Sequence, residues 1–194
     1  MNSTFLPNYI YTFVGASGTG KSTLLNYIKE NYPTVKIEEL GAREFLPKNG
    51  QSYDVSMTDS IQTCVSLNNL KQFAKAIIDK DSVVYSRSPI DVIAYSLVLN
   101  KGIQLIPLLE DWVTYIKDRV TFLYLPIEFD LTDSDDVLRG LNETVRKDTD
   151  KAILKELNKL NIPVTIISGT IEERQVQIDK IFSYSNNFYF EKKK

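Results

Sequence analysis

Eight consecutive residues, Gly15-Ala16-Ser17-Gly18-Thr19-Gly20-Lys21-Ser22, match the pattern G-x-x-x-x-G-K-[ST] in full. The glycines let backbone N–H groups curl around phosphate oxygens with no Cβ in the way. The Lys21 ammonium is the charge that neutralises β- and γ-phosphates, and the Ser22 hydroxyl is a ligand for Mg²⁺. Thr23 falls in the first turn of the helix that must follow. A glycine-rich turn that only connects a strand to a helix is the competing reading, and it leaves Lys21 and Ser22 without a role. The glycine order also differs from G-x-G-x-x-G, which excludes a dinucleotide fold at this place. The chemistry indicated is binding of a nucleoside triphosphate, with ATP and Mg²⁺ as the cofactors.

Such a loop works only between a strand and a helix N-terminus, whose dipole favours the anion. "YIYTFVG" (9–15) is short, aromatic and β-branched, and reads as a buried strand. Lys21 to Tyr32 carries Leu24, Leu25 and Ile28 on one helical face, and Pro33 stops it. Further strands are expected at 34–40, 82–86, 120–126 and 164–168. Residues 41–56 read as loop. A long helix over 57–78 carries Ile61, Val65, Leu70, Phe73, Ala74 and Ile77, with a break near Asn68–Asn69. Pro89 opens the helix after the third strand, with Asp91 near its positive end. Leu105, Leu109, Trp112, Val113 and Ile116 form a further stripe, and helices are expected over 142–160 and after 170. Strand–helix alternation of this kind predicts an α/β fold: three αβα layers around a five-stranded, mostly parallel sheet. Residues 1–182 read as one domain, with a lid-like segment at about 130–147 and a tail over 183–194.

Composition removes several chemistries. The 194 residues contain no histidine, so serine–histidine and cysteine–histidine catalysis and histidine metal sites are excluded. One cysteine, Cys64, allows no internal disulfide; among apolar residues at helical spacing it is expected to pack in the core. A net charge of −2 offers no broad basic surface, so nucleic acid is an unlikely partner. No window approaches the ~18 apolar residues of a membrane span, and the N-terminus has no secretory pattern. A cytoplasmic protein is expected, and its oligomeric state is open, a homodimer included.

Several later segments resemble, in order, those of a P-loop nucleoside and nucleotide kinase-like family. It comprises thymidylate-kinase-like enzymes and the AAA domains related to the ribosylnicotinamide kinase domains of bacterial NAD regulators. "SRSPIDVIAY" is similar to its D-R-[SY]-x-x-[DS]-x-x-A-Y segment, with Ser86 where relatives usually place an acid. "DSDDVLRG" is similar to D-G-x-R, with Asp136 and Arg139 in register and Val137 in place of glycine. "EELGAREF" resembles E-x-A-R with one residue inserted, and "IPVTIISGTIEER" resembles the last strand and loop. The resemblance runs from about residue 10 to 181.

It implies an ATP-dependent kinase whose acceptor is a nucleoside, a nucleoside monophosphate or a related small metabolite. Arg87 would face the acceptor, often its phosphate. Arg139 and Arg146 would come from the lid to the transferring phosphate, where positive charge on the equatorial oxygens matters most. Glu38 and Glu39 end the second strand on the crevice side; alternation favours Glu39 as the group that orients or deprotonates an acceptor hydroxyl. Arg43 and Asp91 are further acceptor contacts by this reading, and Ser168, Gly169 and Thr170 lie where adenine sits. A serine at 86 adds no charge, leaving Mg²⁺ on Ser22, phosphates and waters, which magnesium tolerates. Two other classes stay open: a nucleotide-binding switch or regulatory ATPase without a small acceptor, and a kinase directed at nucleic acid.

Overall fold

The computed structural model describes residues 10–46, 56–79, 82–130 and 143–184. Five strands form one sheet: β1 (Ile10–Val14), β2 (Lys36–Glu38), β3 (Val83–Tyr85), β4 (Val120–Tyr124) and β5 (Val164–Ile166). Their order is β2-β3-β1-β4-β5, and every pairing is parallel. β1 is central and buried along its length, as its run of apolar and aromatic residues requires. From β1 the chain runs to β2 and back to β3 on one side, then crosses to β4 and β5 on the other. This reversal of direction opens a crevice at the carboxyl ends of β1, β3 and β4.

Among the described residues, six α-helices cover the sheet: α1 (Lys21–Asn31), α2 (Asp59–Asp79), α3 (Pro89–Leu99), α4 (Ile106–Ile116), α5 (Glu143–Lys159) and α6 (Ile171–Tyr184). Alternation of side chains along the strands divides the core into two layers. Tyr11, Phe13, Val84 and Leu123 pack with Leu24, Leu25 and Ile28 of α1 and with Ile178 and Phe182 of α6. Val14, Tyr85, Phe122 and Tyr124 pack on the other face with α2, α3, α4 and α5. The result is the expected three-layer α/β fold of the P-loop NTPase kind, with the sheet parallel throughout its described strands.

Three expectations are corrected. α2 is unbroken at Asn68–Asn69, because Asn68 is tied to Glu44 (2.9 Å) and Asn69 is buried against the body; tertiary contacts override the weak helix preference of asparagine. Cys64 is exposed rather than in the core, since the buried face of α2 runs through Gln62, Val65, Ser66, Asn69, Phe73 and Ala76. The two edge strands are shorter than expected: β2 spans Lys36–Glu38, and β5 spans Val164–Ile166 with all its residues exposed. Most of the lid-like segment, with Asp136 and Arg139, lies outside the described residues, as does the tail from 185 onward.

Candidate nucleotide site

β1 delivers the chain to Gly15, whose φ of 156° and tight surroundings need glycine: a Cβ would lie 2.6 Å from the Leu125 carbonyl oxygen. The loop closes at Gly20, left-handed with φ 88° and ψ 5°, which caps α1 without any side-chain hydrogen bond. No acid occupies the first turn of α1. The helix therefore offers its N–H groups and positive dipole end to an anion. Lys21 is 7% exposed and folds over the loop: Nζ donates to Gly15 O (2.7 Å), to Thr19 Oγ1 (3.1 Å) and to Ala16 O. Ser22 and Thr23 are exposed beside it. Residues 15–22 fit a phosphate chain: a glycine-lined loop, a helix end without a cap and one cation. Among the described residues no group of three or more Cys, Asp or Glu is arranged for a metal. A magnesium ion would rest on Ser22 Oγ, phosphate oxygens and water, a set that suits it.

The segment after β3 is locked to this loop. Asp91 is fully buried; its Oδ1 accepts from Gly15 N (3.0 Å), and its Oδ2 accepts from Ser88 N (2.8 Å) and Ser88 Oγ (2.6 Å). Asp91 N donates in turn to Ser88 Oγ (3.2 Å), completing a capping box behind Pro89. Asp91, a candidate acceptor contact by sequence, thus turns its carboxylate to the phosphate loop. Arg87 stands at the crevice, its Nη1 3.9 Å from Asp91 Oδ1 and its Cζ 5.2 Å from the centre of the Tyr95 ring. Ser86 faces the opposite way. Its Oγ accepts from Leu40 N (2.8 Å) and donates to Leu40 O (3.3 Å), stitching the end of β3 to the chain leaving β2.

Glu39 is exposed just past the end of β2, while Glu38 pairs with Lys36 at 2.9 Å. The backbone of Arg43 lies in the short 3₁₀ turn Ala42–Glu44. Arg146, near the start of α5, reaches the phosphate loop. It is 3% exposed; Nε donates to Ser17 O (2.9 Å), Nη2 to Gly18 O (3.4 Å) and Phe129 O (2.7 Å), and Nη1 to Glu143 (3.1 Å). The hydrogen bond from Arg146 holds the Glu143 carboxyl below the usual range.

At the far wall, Gly169 has φ 96° and its N–H donates to Glu128 (2.7 Å), while Thr170 and Glu173 cap α6 reciprocally at 2.8 and 3.3 Å. Ser168 exchanges hydrogen bonds with Gln177 (2.7 and 3.4 Å).

Two parts of the site escape a reading of the sequence. Arg174 is fully buried; it donates to Gly169 O (3.0 Å), Pro126 O (3.3 Å), Thr19 O and Glu128, so it joins the phosphate loop to the β5–α6 loop. That contact holds Glu128 below its ordinary range. The signal is present: Arg174 falls on the stripe Ile171, Ile178, Phe182, where an amphipathic helix should be apolar. The second is Asp150, one turn beyond Arg146. Both its oxygens accept from Tyr124 Oη (2.9 and 3.1 Å), at the end of β4 and in register with Val14. Burial raises the Asp150 carboxyl, with Lys21 and Arg146 opposing the rise.

The AAA domain family matches residues 10–174, and the chain belongs to that family. Solved structures show the same fold at low sequence identity. NadR protein in complex with NAD and AMP-PNP superposes with a TM-score of 0.69 at 15% identity, over 93% of this chain and 50% of that one. The chain therefore spans about half the length of NadR. Thymidylate kinase from Candida albicans gives 0.64 at 15% identity over 96% and 99% of the two chains. Deoxyadenosine kinase from M. mycoides, with dCMP and dCDP bound, gives 0.57 at 15% over 90% and 100%. No curated protein sequence matches this chain.

Proposed function

We propose that this protein is an ATP-dependent phosphotransferase whose acceptor is a nucleoside, a nucleoside monophosphate or a related small metabolite. One observation carries the reading: arginines from two elements flank a complete phosphate loop. Arg146 of α5 hydrogen-bonds that loop, and Arg87 stands at the neighbouring strand end. A domain that only holds a nucleotide needs the loop and its helix; transfer needs charge around the moving phosphoryl group as well. ATP fits along residues 15–22, with Lys21 on its terminal phosphates, Mg²⁺ on Ser22, and adenine against Ser168, Gly169 and Thr170. The acceptor fits between Glu39, Arg87 and α2, and Arg43 and Arg139 stay candidates for the acceptor and the transferring phosphate on the family resemblance alone. Asp91 orients the loop through Gly15 rather than touching the acceptor. Fold similarity to kinases at 15% identity supports the class of ligand and carries no residue roles.

The test is acceptor-dependent ADP release from ATP–Mg²⁺, with a panel of nucleosides, their monophosphates and ribosylnicotinamide, and product identified by mass. ATP binding with no acceptor in the panel raising ADP release would refute the proposal and favour a regulatory ATPase. Lys21→Ala is expected to lower turnover by roughly 10²-fold or more, the scale seen when one preorganised electrostatic contact is removed.

A further inference from the structure

Asp91 makes more contacts than the cap of a helix needs. It is fully buried, and its two oxygens face different parts of the fold. Oδ2 accepts from Ser88 N (2.8 Å) and Ser88 Oγ (2.6 Å), which completes the capping box and fixes the side chain on α3. A capping box uses one carboxylate oxygen. Oδ1 serves something else: it accepts from Gly15 N (3.0 Å), and Arg87 Nη1 stands 3.9 Å from the same atom. One oxygen thus joins the first residue of the phosphate loop to the arginine of the acceptor crevice.

The contacts continue beyond Gly15. Its carbonyl accepts from Lys21 Nζ (2.7 Å), so Asp91 holds this residue through its N–H while Lys21 holds it through its oxygen. Gly15 has little room to shift, with the Leu125 carbonyl 2.6 Å from where a Cβ would lie. The loosest contact is the one at the crevice. Charge-assisted N–H···O bonds are about 2.7–2.9 Å long, so Arg87 stops roughly 1 Å short of closing on Asp91, and its side chain is 28% exposed. A buried carboxylate depends on its cation. An anion bound at Arg87 shares that cation's charge, and Asp91 Oδ1 then bonds the Gly15 N–H more strongly. The capping box keeps the carboxylate from swinging away instead.

We propose that Asp91 is a positioning residue that couples the two substrate sites: an anionic acceptor at Arg87 firms the Asp91–Gly15 bond and so sets the phosphate loop and Lys21 for the nucleotide. Acceptor and nucleotide then bind synergistically, although two anions side by side repel. The effect is reciprocal, so nucleotide on the loop tightens the acceptor by the same factor. The synergy rests on the kinase reading above; the link from Arg87 through Asp91 to Gly15 does not need it.

The test is a double-mutant cycle on the full chain, read by the Gly15 amide in NMR spectra and by calorimetric affinity for AMP-PNP–Mg²⁺. Arg87→Gln takes the cation from Asp91, as a bound anion does in part, and should move the Gly15 amide proton downfield. In Asp91→Asn, which has no charge for Arg87 to neutralise, the same change at 87 should leave that proton in place. The two substitutions should be non-additive in AMP-PNP affinity by about threefold or more. Asp91→Ser, also uncharged, covers the case in which the asparagine variant fails to fold. The second arm adds the 5′-monophosphates of uridine, thymidine, deoxycytidine and deoxyadenosine. At saturation at least one should tighten AMP-PNP by about fivefold or more in the wild type, and in both Asp91 variants the gain should vanish or reverse. A residue that only caps α3 would lower the melting temperature when replaced and leave the response of Gly15 to Arg87 intact; that result overturns the proposal, as does synergy that survives in both variants. Non-additivity with no monophosphate bound would refute the monophosphate acceptor and leave the link from crevice to loop standing. A monophosphate that is phosphorylated while the substitutions stay additive would overturn the coupling and leave the kinase reading standing.

Discussion

Lys21 and Asp91 fix the phosphate loop from inside and below, and both do so through main-chain groups. Lys21 bonds the carbonyls of Gly15 and Ala16, and Asp91 takes the Gly15 N–H. In the proposed ATP complex the lysine would exchange those carbonyls for phosphate oxygens, whereas Asp91 could keep its contact throughout. Ser86, where the family resemblance leads one to expect an acid, belongs to the same residue-scale account. Its hydroxyl both accepts from and donates to the Leu40 backbone. An aspartate could keep the bond from Leu40 N but would set a negative charge against Leu40 O. Ser86→Asp is therefore expected to cost about 1 kcal/mol, which lowers the melting temperature by roughly 2–4 °C in a domain of this size. Because the hydroxyl points to Leu40 and not to the phosphate loop, the magnesium concentration for half-maximal turnover should not change. A marked fall in that concentration would mean the position does reach the metal.

At the scale of elements, the site is a set of ties between helices that the chain order keeps apart. Arg174 of α6 bonds the loop before α1, and Glu128 bonds both Arg174 and Gly169. Arg174→Ala would leave several carbonyls unpaired and a cavity behind. The loss is about 3 kcal/mol, at the low end for a broken buried pair because Glu128 is partly exposed, and it appears as a fall of roughly 6–12 °C in melting temperature. Lysine at 174 should recover little, since it lacks the planar fork that serves several carbonyls at once. Asp150 on α5 behaves differently. Burial raises its carboxyl above the ordinary value near 3.8, so the unfolded chain ionises first as pH rises and the fold loses stability through that interval. Asp150→Asn is expected to melt as the wild type does at the acid end. It should melt progressively higher than the wild type as pH rises through the acid range, with a constant difference above it. Melting curves at stepped pH decide this, and a gap that narrows with rising pH would reverse the sign.

These ties also show where a sequence is readable. The phosphate loop, the central strands and the layer order follow from short-range patterns: glycine spacing, apolar runs and helical stripes. Arg87 and Arg146 are legible because they stand in segments whose order resembles a known family. Arg174 and Asp150 are not, because their roles depend on partners as far as 155 and 26 residues away that no periodicity announces. Arg174 even leaves a trace, as a polar residue on a stripe that packing should make apolar. Amphipathic patterns record only average burial, so such residues read as noise until their neighbours are known. The unbroken α2 and the exposed Cys64 have the same origin: local preference and spacing fix a helix only weakly against the contacts it makes.

For the molecule as a whole, the layout of these contacts determines how a ligand should register. The phosphate loop is held by α3 through Asp91, by α5 through Arg146 and by α6 through Arg174, so both helical layers and the sheet centre converge on it. A nucleotide that bonds this loop stabilises a junction common to the whole core rather than one peripheral segment. Binding to the folded state alone adds RT ln(1 + [L]/Kd), about 2.7 kcal/mol at one hundred times Kd, which corresponds to a rise of roughly 5–11 °C in a chain of this length. ATP–Mg²⁺ or AMP-PNP–Mg²⁺ is expected to shift a single cooperative melting transition by that amount. Lys21→Ala should abolish most of the shift at the same nucleotide concentration. Hydrogen exchange should slow in α1, α3, α5 and α6 together, since each is tied to the loop by side-chain or backbone bonds. Protection confined to α1 would show that the loop binds phosphate as an isolated helix end, and that the ties through Asp91, Arg146 and Arg174 carry no nucleotide energy.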